Sequence, residues 1–393
     1  MDALIRRRIV VIDQYFPPDT SATARIISDF AEVCVEQRAP LTIVCGFPSY
    51  DPGPRLSWRP LRRVRSAGMT RYVIGSTGFD RRSALGRVCN YVSFMVGAAL
   101  LIPLVCRKAA VVVLTDPPMA PLLGWWARRA GHPASVALWI QDLHPDFGVA
   151  AGLLSDNVVV RAWRSGLRAA LRAADDVIVL GRDMARRVEQ VGVAAPTRVV
   201  HNGWSGVARQ PQRDVGDGAR RVRVMHFGNI GFAGPWPSVL AAARALVDVA
   251  EFEFIGGGAG EAEFADAPSN VAVFSRVAHS EVSRLAAQAD LLLVGVRAGL
   301  EGYVVPSKGY EMMALGRPLL VVSVPDSEMR LLVEERGCGL TVDDRPEALV
   351  EAIRSVAAGH VDLAAMANNA ATAAGEFERK AQFALLVEAL SSA

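Results

Sequence analysis

The feature that most limits the fold of this chain is a twofold succession of short branched-aliphatic runs separated by amphipathic segments, interrupted once near the middle. In the first half, residues 9–13, 41–45, 111–115, 135–140 and 176–180 read as strands, with helical patterns at 23–36 and 158–173. Such runs suit strands buried on both faces, and their alternation with helices is the mark of parallel βαβ units. The pattern pauses at 203–221, rich in Gly, Arg, Gln and Asp. It restarts with strands at 222–227, 251–255, 271–274, 291–294 and 319–322, separated by helices at 236–248, 280–287, 307–315 and 346–358. Two α/β halves that each begin afresh are hard to fit to one barrel. The expectation is therefore an α/β chain of two Rossmann-like domains with parallel sheets facing across a cleft. Their expected bounds are 1–203 and 222–375, joined by a linker at 204–221. A last helix at 376–393 would pack back on the first domain.

A chain of 393 residues is long enough for two such cores. The small net charge of +3 does not suggest nucleic-acid binding. Its distribution is uneven: residues 54–87 hold nine arginines and one acid, Asp80. This segment reads either as a solvated basic surface or as attraction to an anionic membrane or a pyrophosphate-bearing lipid. Residues 88–106 carry no charge and approach the length of a membrane span. A crossing there would divide one sheet between two sides of a membrane. A buried helix with one face at a lipid interface is the expectation instead. Five scattered cysteines without metal spacing, and a start that reads as a buried strand, suggest a cytoplasmic protein with reduced thiols.

Three motifs could carry chemistry. The first runs Val305-Pro306-Ser307-Lys308 into Glu311 and closes at Gly316. A helix start with Lys308 in its first turn can hold phosphate, and Glu311 is placed to accept from ribose hydroxyls. An ordinary Ser-capped helix has the same pattern. The second is the pair of glycine turns Gly228-Asn229-Ile230-Gly231 and Gly256-Gly257-Gly258, each after a strand, where backbone can approach a ligand. Neither fits a nicotinamide fingerprint. The third is Gln141-Asp142-Leu143-His144 at the end of a first-half strand, where Asp142 and His144 could serve as acid, base or orienting groups. The loop from Tyr15 to Arg25 could be a second phosphate or acceptor loop. The dispersed histidines suggest no metal site.

Taken in order, these motifs resemble the retaining glycosyltransferases of family 4, which have the GT-B fold. The resemblance also includes Gly46-Phe47-Pro48, Asp116-Pro117-Pro118, His201-Asn202-Gly203 and Ala289-Asp290. It is nearest to the branch that assembles bacterial O-antigen, capsule and exopolysaccharide, typified by N-acetyl-fucosamine transferases. It implies that the second domain holds a nucleoside diphosphate sugar, with a UDP-sugar favoured, and that no separate cofactor is required. Glu311 would bind the ribose, Gly256–Gly258 with Arg276 and Val277 would line the base and diphosphate, and Lys308 would neutralise the leaving group. Asp142 would stand near the acceptor hydroxyl. The acceptor would bear a sugar, with a lipid-linked one expected at the cytoplasmic membrane face and a soluble aglycone as the alternative.

The chain departs from the family pattern at three places. Tyr303 takes the first position of the usual glutamate pair. Asn229 and Phe232-Ala233-Gly234-Pro235 replace the usual arginine and lysine, and Gln141 replaces a histidine. Diphosphate charge would then rest on Lys308, with Arg25 or Arg182 in support. A nucleotide-sugar epimerase and a non-catalytic nucleotide-sugar-binding scaffold are the rival readings.

Overall fold

The computed structural model describes residues 6–50, 59–66, 68–80, 83–193, 195–206 and 221–392. The first sheet has eight strands: β1 (Ile9–Ile12), β2 (Leu41–Gly46), β3 (Leu61–Ser66), β4 (Met69–Ile74), β5 (Ala110–Val113), β6 (Ser135–Trp139), β7 (Asp176–Val179) and β8 (Thr197–Val199). They lie in the order β3-β4-β2-β1-β5-β6-β7-β8, and only the β3–β4 pair is antiparallel. The second sheet is wholly parallel: β9 (Val222–Asn229), β10 (Ala250–Gly257), β11 (Val271–Phe274), β12 (Leu291–Gly295), β13 (Leu319–Val322) and β14 (Gly339–Val342), in the order β11-β10-β9-β12-β13-β14. Every residue of β1, β5 and β13 is buried. Uninterrupted aliphatic runs are what strands covered on both faces require.

In each sheet the winding reverses once, between β1 and β5 in the first and between β9 and β12 in the second. A reversal parts the loops leaving adjacent strands and opens a crevice at their carboxyl ends. The two crevices form the two walls of the site described below.

Four strands were not expected from apolar runs. β3 reads Leu-Arg-Arg-Val-Arg-Ser, is largely exposed, and forms the sheet edge with β4 inside it. An edge strand tolerates arginines because one side of its backbone faces water. β8 and β14 are short and partly exposed. Residues 207–220 of the expected linker, and residues 54–58 and 81–82 of the arginine-rich segment, lie outside the described residues.

The uncharged segment forms the helix Ala84–Val105, among the described residues the one helix long and apolar enough to span a membrane. The expected burial holds for one face only. Phe94, Ala98, Leu101, Ile102 and Val105 join the first-domain core, and the opposite face is open to solvent. The C-terminal helix Arg379–Ser392 returns to the first domain, where Phe383 packs edge-on against Phe30 and Trp139.

The halves are also stitched through the loop after β12. Val305 and Tyr303 pack against the first-domain core, and the Leu143 amide donates to the Tyr303 carbonyl at 2.9 Å. Arg182 bridges to Glu328 at 3.0 Å and Glu335 at 2.6 Å.

Candidate active site

A cavity of about 500 Å³ lies between the two sheets. Its first-domain wall is made by residues that follow the carboxyl ends of strands: Gln141 and Asp142 after β6, Leu180 after β7 and Asn202 after β8, with Thr23 from the helix Ala22–Glu36. Its second-domain wall is made by His226, the turn Asn229–Gly234, the end of β12 and the segment from Val304 to Lys308. Among the described residues lining it, Lys308 is the only cation and Asp142 the only carboxylate.

Asp142 is held by its backbone. The Thr115 hydroxyl accepts from the amides of Gln141 at 3.1 Å and Asp142 at 3.4 Å. Burial and the nearby Asp116 carboxylate push the Asp142 carboxyl up to about 7. The residue is nevertheless open to cleft water. Protein walls the cleft around it, and the Asp116 charge adds to the upward push. Behind Asp142 lie Asp116, bonded by the Thr23 hydroxyl at 2.6 Å, and the fully buried Asp13, whose carboxyl burial also raises. Asn202 donates to the Gln141 side chain at 2.8 Å, fixing a second polar pair on this wall.

On the facing wall, Lys308 opens the short helix Lys308–Ala314, and its ammonium donates to Glu311 at 2.5 Å. The lysine stem lies across Gly228. A Cβ at that glycine would stand 3.1 Å from Lys308 Cγ, and its φ of +134° favours glycine in any case. The glycine turn and the lysine helix are thus one packed unit. Gly256 has a different reason for being glycine: a Cβ there would strike the Gly228 carbonyl across the β9–β10 ladder. Trp236 pins the neighbouring turn by donating to the Gly231 carbonyl at 2.8 Å.

His226 lies beneath this turn, 4.9 Å from the Trp236 ring, and burial pulls its imidazole down to about 4. The ring is therefore neutral near pH 7, with Nδ1 3.0 Å from the Leu293 carbonyl. A neutral imidazole donates there from Nδ1 and leaves Nε2 as an acceptor.

Residues 21–203 match the family model described as a glycosyl transferase 4-like domain, and residues 224–358 match that of glycosyl transferases group 1. Together the two models span most of the chain and meet at the cavity. The chain belongs to the GT-B glycosyltransferases.

The glycosyltransferase is 24% identical to a protein of Escherichia coli named for colanic acid biosynthesis, WcaI, over 88% of this chain and 91% of that one. It is 26% identical to a glycosyltransferase of Pseudomonas aeruginosa, WbjE, over 59% of this chain; that match spans 62% of the relative's length. Among solved structures it resembles sucrose-phosphate synthase of Thermosynechococcus elongatus, with a TM-score of 0.73 at 15% identity over 98% of both chains. It also resembles WaaG, a glycosyltransferase involved in lipopolysaccharide biosynthesis, with a TM-score of 0.66 at 15% identity over 98% of this chain and all of that one. Anabaena HepE, solved with UDP, matches at a TM-score of 0.64 and 15% identity over the same shares.

The fold gathers some expected site residues and leaves others apart. Asp142, Asn229, Gly231, Val305, Pro306, Ser307 and Lys308 line the cavity, with Gly228 and Glu311 directly against Lys308. His144 does not line it: its ring stacks on Trp163 and meets Phe147 edge-on. Tyr303 lies beneath the Arg187 guanidinium, 3.8 Å away, at the seam between domains. Arg276 and Val277 are exposed after β11, outside the lining. Gly256 and Gly257 do not line the cavity; Gly257 abuts Glu261, and Ala259, two residues on, is the lining residue of that turn. Arg182 is committed to Glu328 and Glu335, and Arg25 is exposed on its helix; neither reaches the cavity. His226 and Asn202 also line the cavity, although neither is marked as a site residue by the motifs above. A polar residue inside an apolar strand, two positions before the strand-end Gly228, is the signal that could have marked His226.

Proposed function

We propose that this GT-B glycosyltransferase moves a sugar from a nucleoside diphosphate, with UDP favoured, to an acceptor hydroxyl with retention of anomeric configuration. The observation that carries the reading is the opposition of Lys308 and Asp142 across one interdomain cavity. The Lys308 ammonium and the glycine turn would take the diphosphate, and Glu311 the ribose diol. As the glycosidic bond to phosphate opens, charge builds on the leaving oxygens, and a fixed ammonium in a shielded cleft stabilises it most at that moment. Asp142 would hold the acceptor hydroxyl on the opposite wall, its high pKa letting it share a proton near neutral pH. His144 and Tyr303 are then positioning residues, one bracing the β6 loop and the other joining the domains.

The acceptor we propose is a sugar-bearing, lipid-linked intermediate of a bacterial surface polysaccharide. Two resemblances support this reading, to a colanic acid biosynthesis protein and to a lipopolysaccharide glycosyltransferase. Incubation with UDP-sugars and short glycolipid acceptors tests it. Transfer with the donor's anomeric configuration kept in the product is the expected result; inversion, or sugar isomerised without transfer, would contradict it.

A further inference from the structure

The outer face of the helix Ala84–Val105 is built unlike a solvent face. From Val88 onward every well-exposed residue on it is apolar: Val88, Val92, Val96, Leu100, Pro103 and Leu104. Leu100 is 74% and Leu104 78% exposed, and Leu85 adds 73% at the amino end. Spaced by three or four residues, they form one stripe about 28 Å long at 1.5 Å per residue. A helix on a water-facing surface should be polar on that side. Trp126 extends the stripe sideways, its indole donating to the Ala99 carbonyl at 2.9 Å.

Both ends of the stripe are cationic. Arg87 stands at its start, exposed Arg107 and Lys108 follow its end, and Arg129 stacks on Trp125 beside it at 3.8 Å. The adjoining edge strand β3 exposes Arg62, Arg63 and Arg65. From Arg81 to Thr115 the chain has no acidic residue.

We infer that this face docks the enzyme in the plane of an anionic lipid bilayer, with the apolar stripe at the acyl boundary and the cations among headgroups. The alternative of a second copy of this chain is disfavoured by charge: antiparallel pairing would set the Arg87 end against Arg107 and Lys108 of the other copy, and parallel pairing would set like against like. Crossing the bilayer is disfavoured by the inner face. Asn90 is buried and hydrogen-bonded to both backbone groups of Phe79. Gly97 lies so close to Ile74 that a Cβ would come within 2.3 Å of it. Pulling the helix out would open the first-domain core. The inference deepens the lipid-linked acceptor reading, by placing the enzyme where such an acceptor is embedded.

Vesicle flotation tests it without any turnover assay, so its outcome is independent of whether the transfer reading holds. The full chain should float with vesicles containing phosphatidylglycerol, less with phosphatidylcholine alone, and should be released by a carbonate wash. Leu100→Asp should lower the bound-to-free ratio about tenfold, and Leu100→Asp with Leu104→Asp further, because binding follows the buried apolar area. Both variants should keep the wild-type melting temperature, since the side chains are exposed. Leu385→Asp, at an exposed apolar position on the C-terminal helix, should change nothing. Absence of wild-type flotation, flotation unchanged in the double variant, or retention after carbonate would each overturn the inference. A dimer lost in Leu100→Asp without vesicle binding would overturn it in favour of self-association.

Discussion

The two walls of the cleft are built from different materials. The second-domain wall is mostly backbone: a glycine turn, a tryptophan that pins it, and one lysine laid over Gly228. The first-domain wall sets polar side chains on separate strand ends, Gln141 and Asp142 after β6 and Asn202 after β8, among apolar ones. There Gln141 Nε2 and Asn202 Oδ1 are buried without a hydrogen-bond partner in the protein, as are Asp13 Oδ1 and both polar atoms of the Gln14 amide after β1, outside the lining. Buried polar atoms are costly unless satisfied. On the proposed reading, the second wall would cradle the diphosphate, whereas the first would satisfy its polar atoms on the hydroxyls of the acceptor.

The comparison can be broken most sharply at Lys308. Lys308→Ala removes the only cation among the described lining residues, and kcat/KM should fall about 10²–10³-fold, the scale of losing a charge-stabilising group. Asp142→Asn should lower turnover about 10²-fold with donor affinity kept. Because its carboxyl is pushed up to about 7, wild-type activity should rise with pH through neutrality as the carboxylate forms, and the Asn variant should lack that limb. A smaller effect is expected at His226. Its folded pKa, about 4, lies below the ordinary value, so stability is full above pH 6.5 and is lost as pH falls toward 4. At pH 5 the loss should be about 2 kcal/mol, and His226→Gln should flatten that slope in acid denaturation. Smallest is Gly228→Ala, expected to cost about 1 kcal/mol in a thermal melt through its positive φ. It should also weaken nucleotide binding slightly by crowding the lysine stem.

The same contrast explains what could be read from sequence. Apolar runs disclosed both sheets, because strands covered on two faces need unbroken aliphatic stretches. They missed β3, an edge strand written in arginines, its partner β4, whose run is broken by Thr70 and Arg71, and β8 and β14, which are too short and exposed to show a run. The second wall was the more legible, since glycines at strand ends are conspicuous: Asn229, Gly231 and Lys308 line the cavity, with Gly228 against the lysine stem. The side-chain wall was less so. Asp142 was found, but His144, two residues on, turns away to stack on Trp163. Asn202, and His226 on the other wall, gave no spacing signal, as their neighbours at the cavity come from distant strands. Arg182 looked available in sequence only because Glu328 and Glu335 lie some 150 positions away.

The division of labour between the walls is tested most directly by calorimetric titration of UDP into the wild type, Lys308→Ala and Asp142→Asn. The account predicts binding to the wild type, a loss of about 2 kcal/mol or more in Lys308→Ala, as for a charge-assisted contact, and wild-type affinity in Asp142→Asn. Equal loss in both variants, or full affinity in Lys308→Ala, would contradict it.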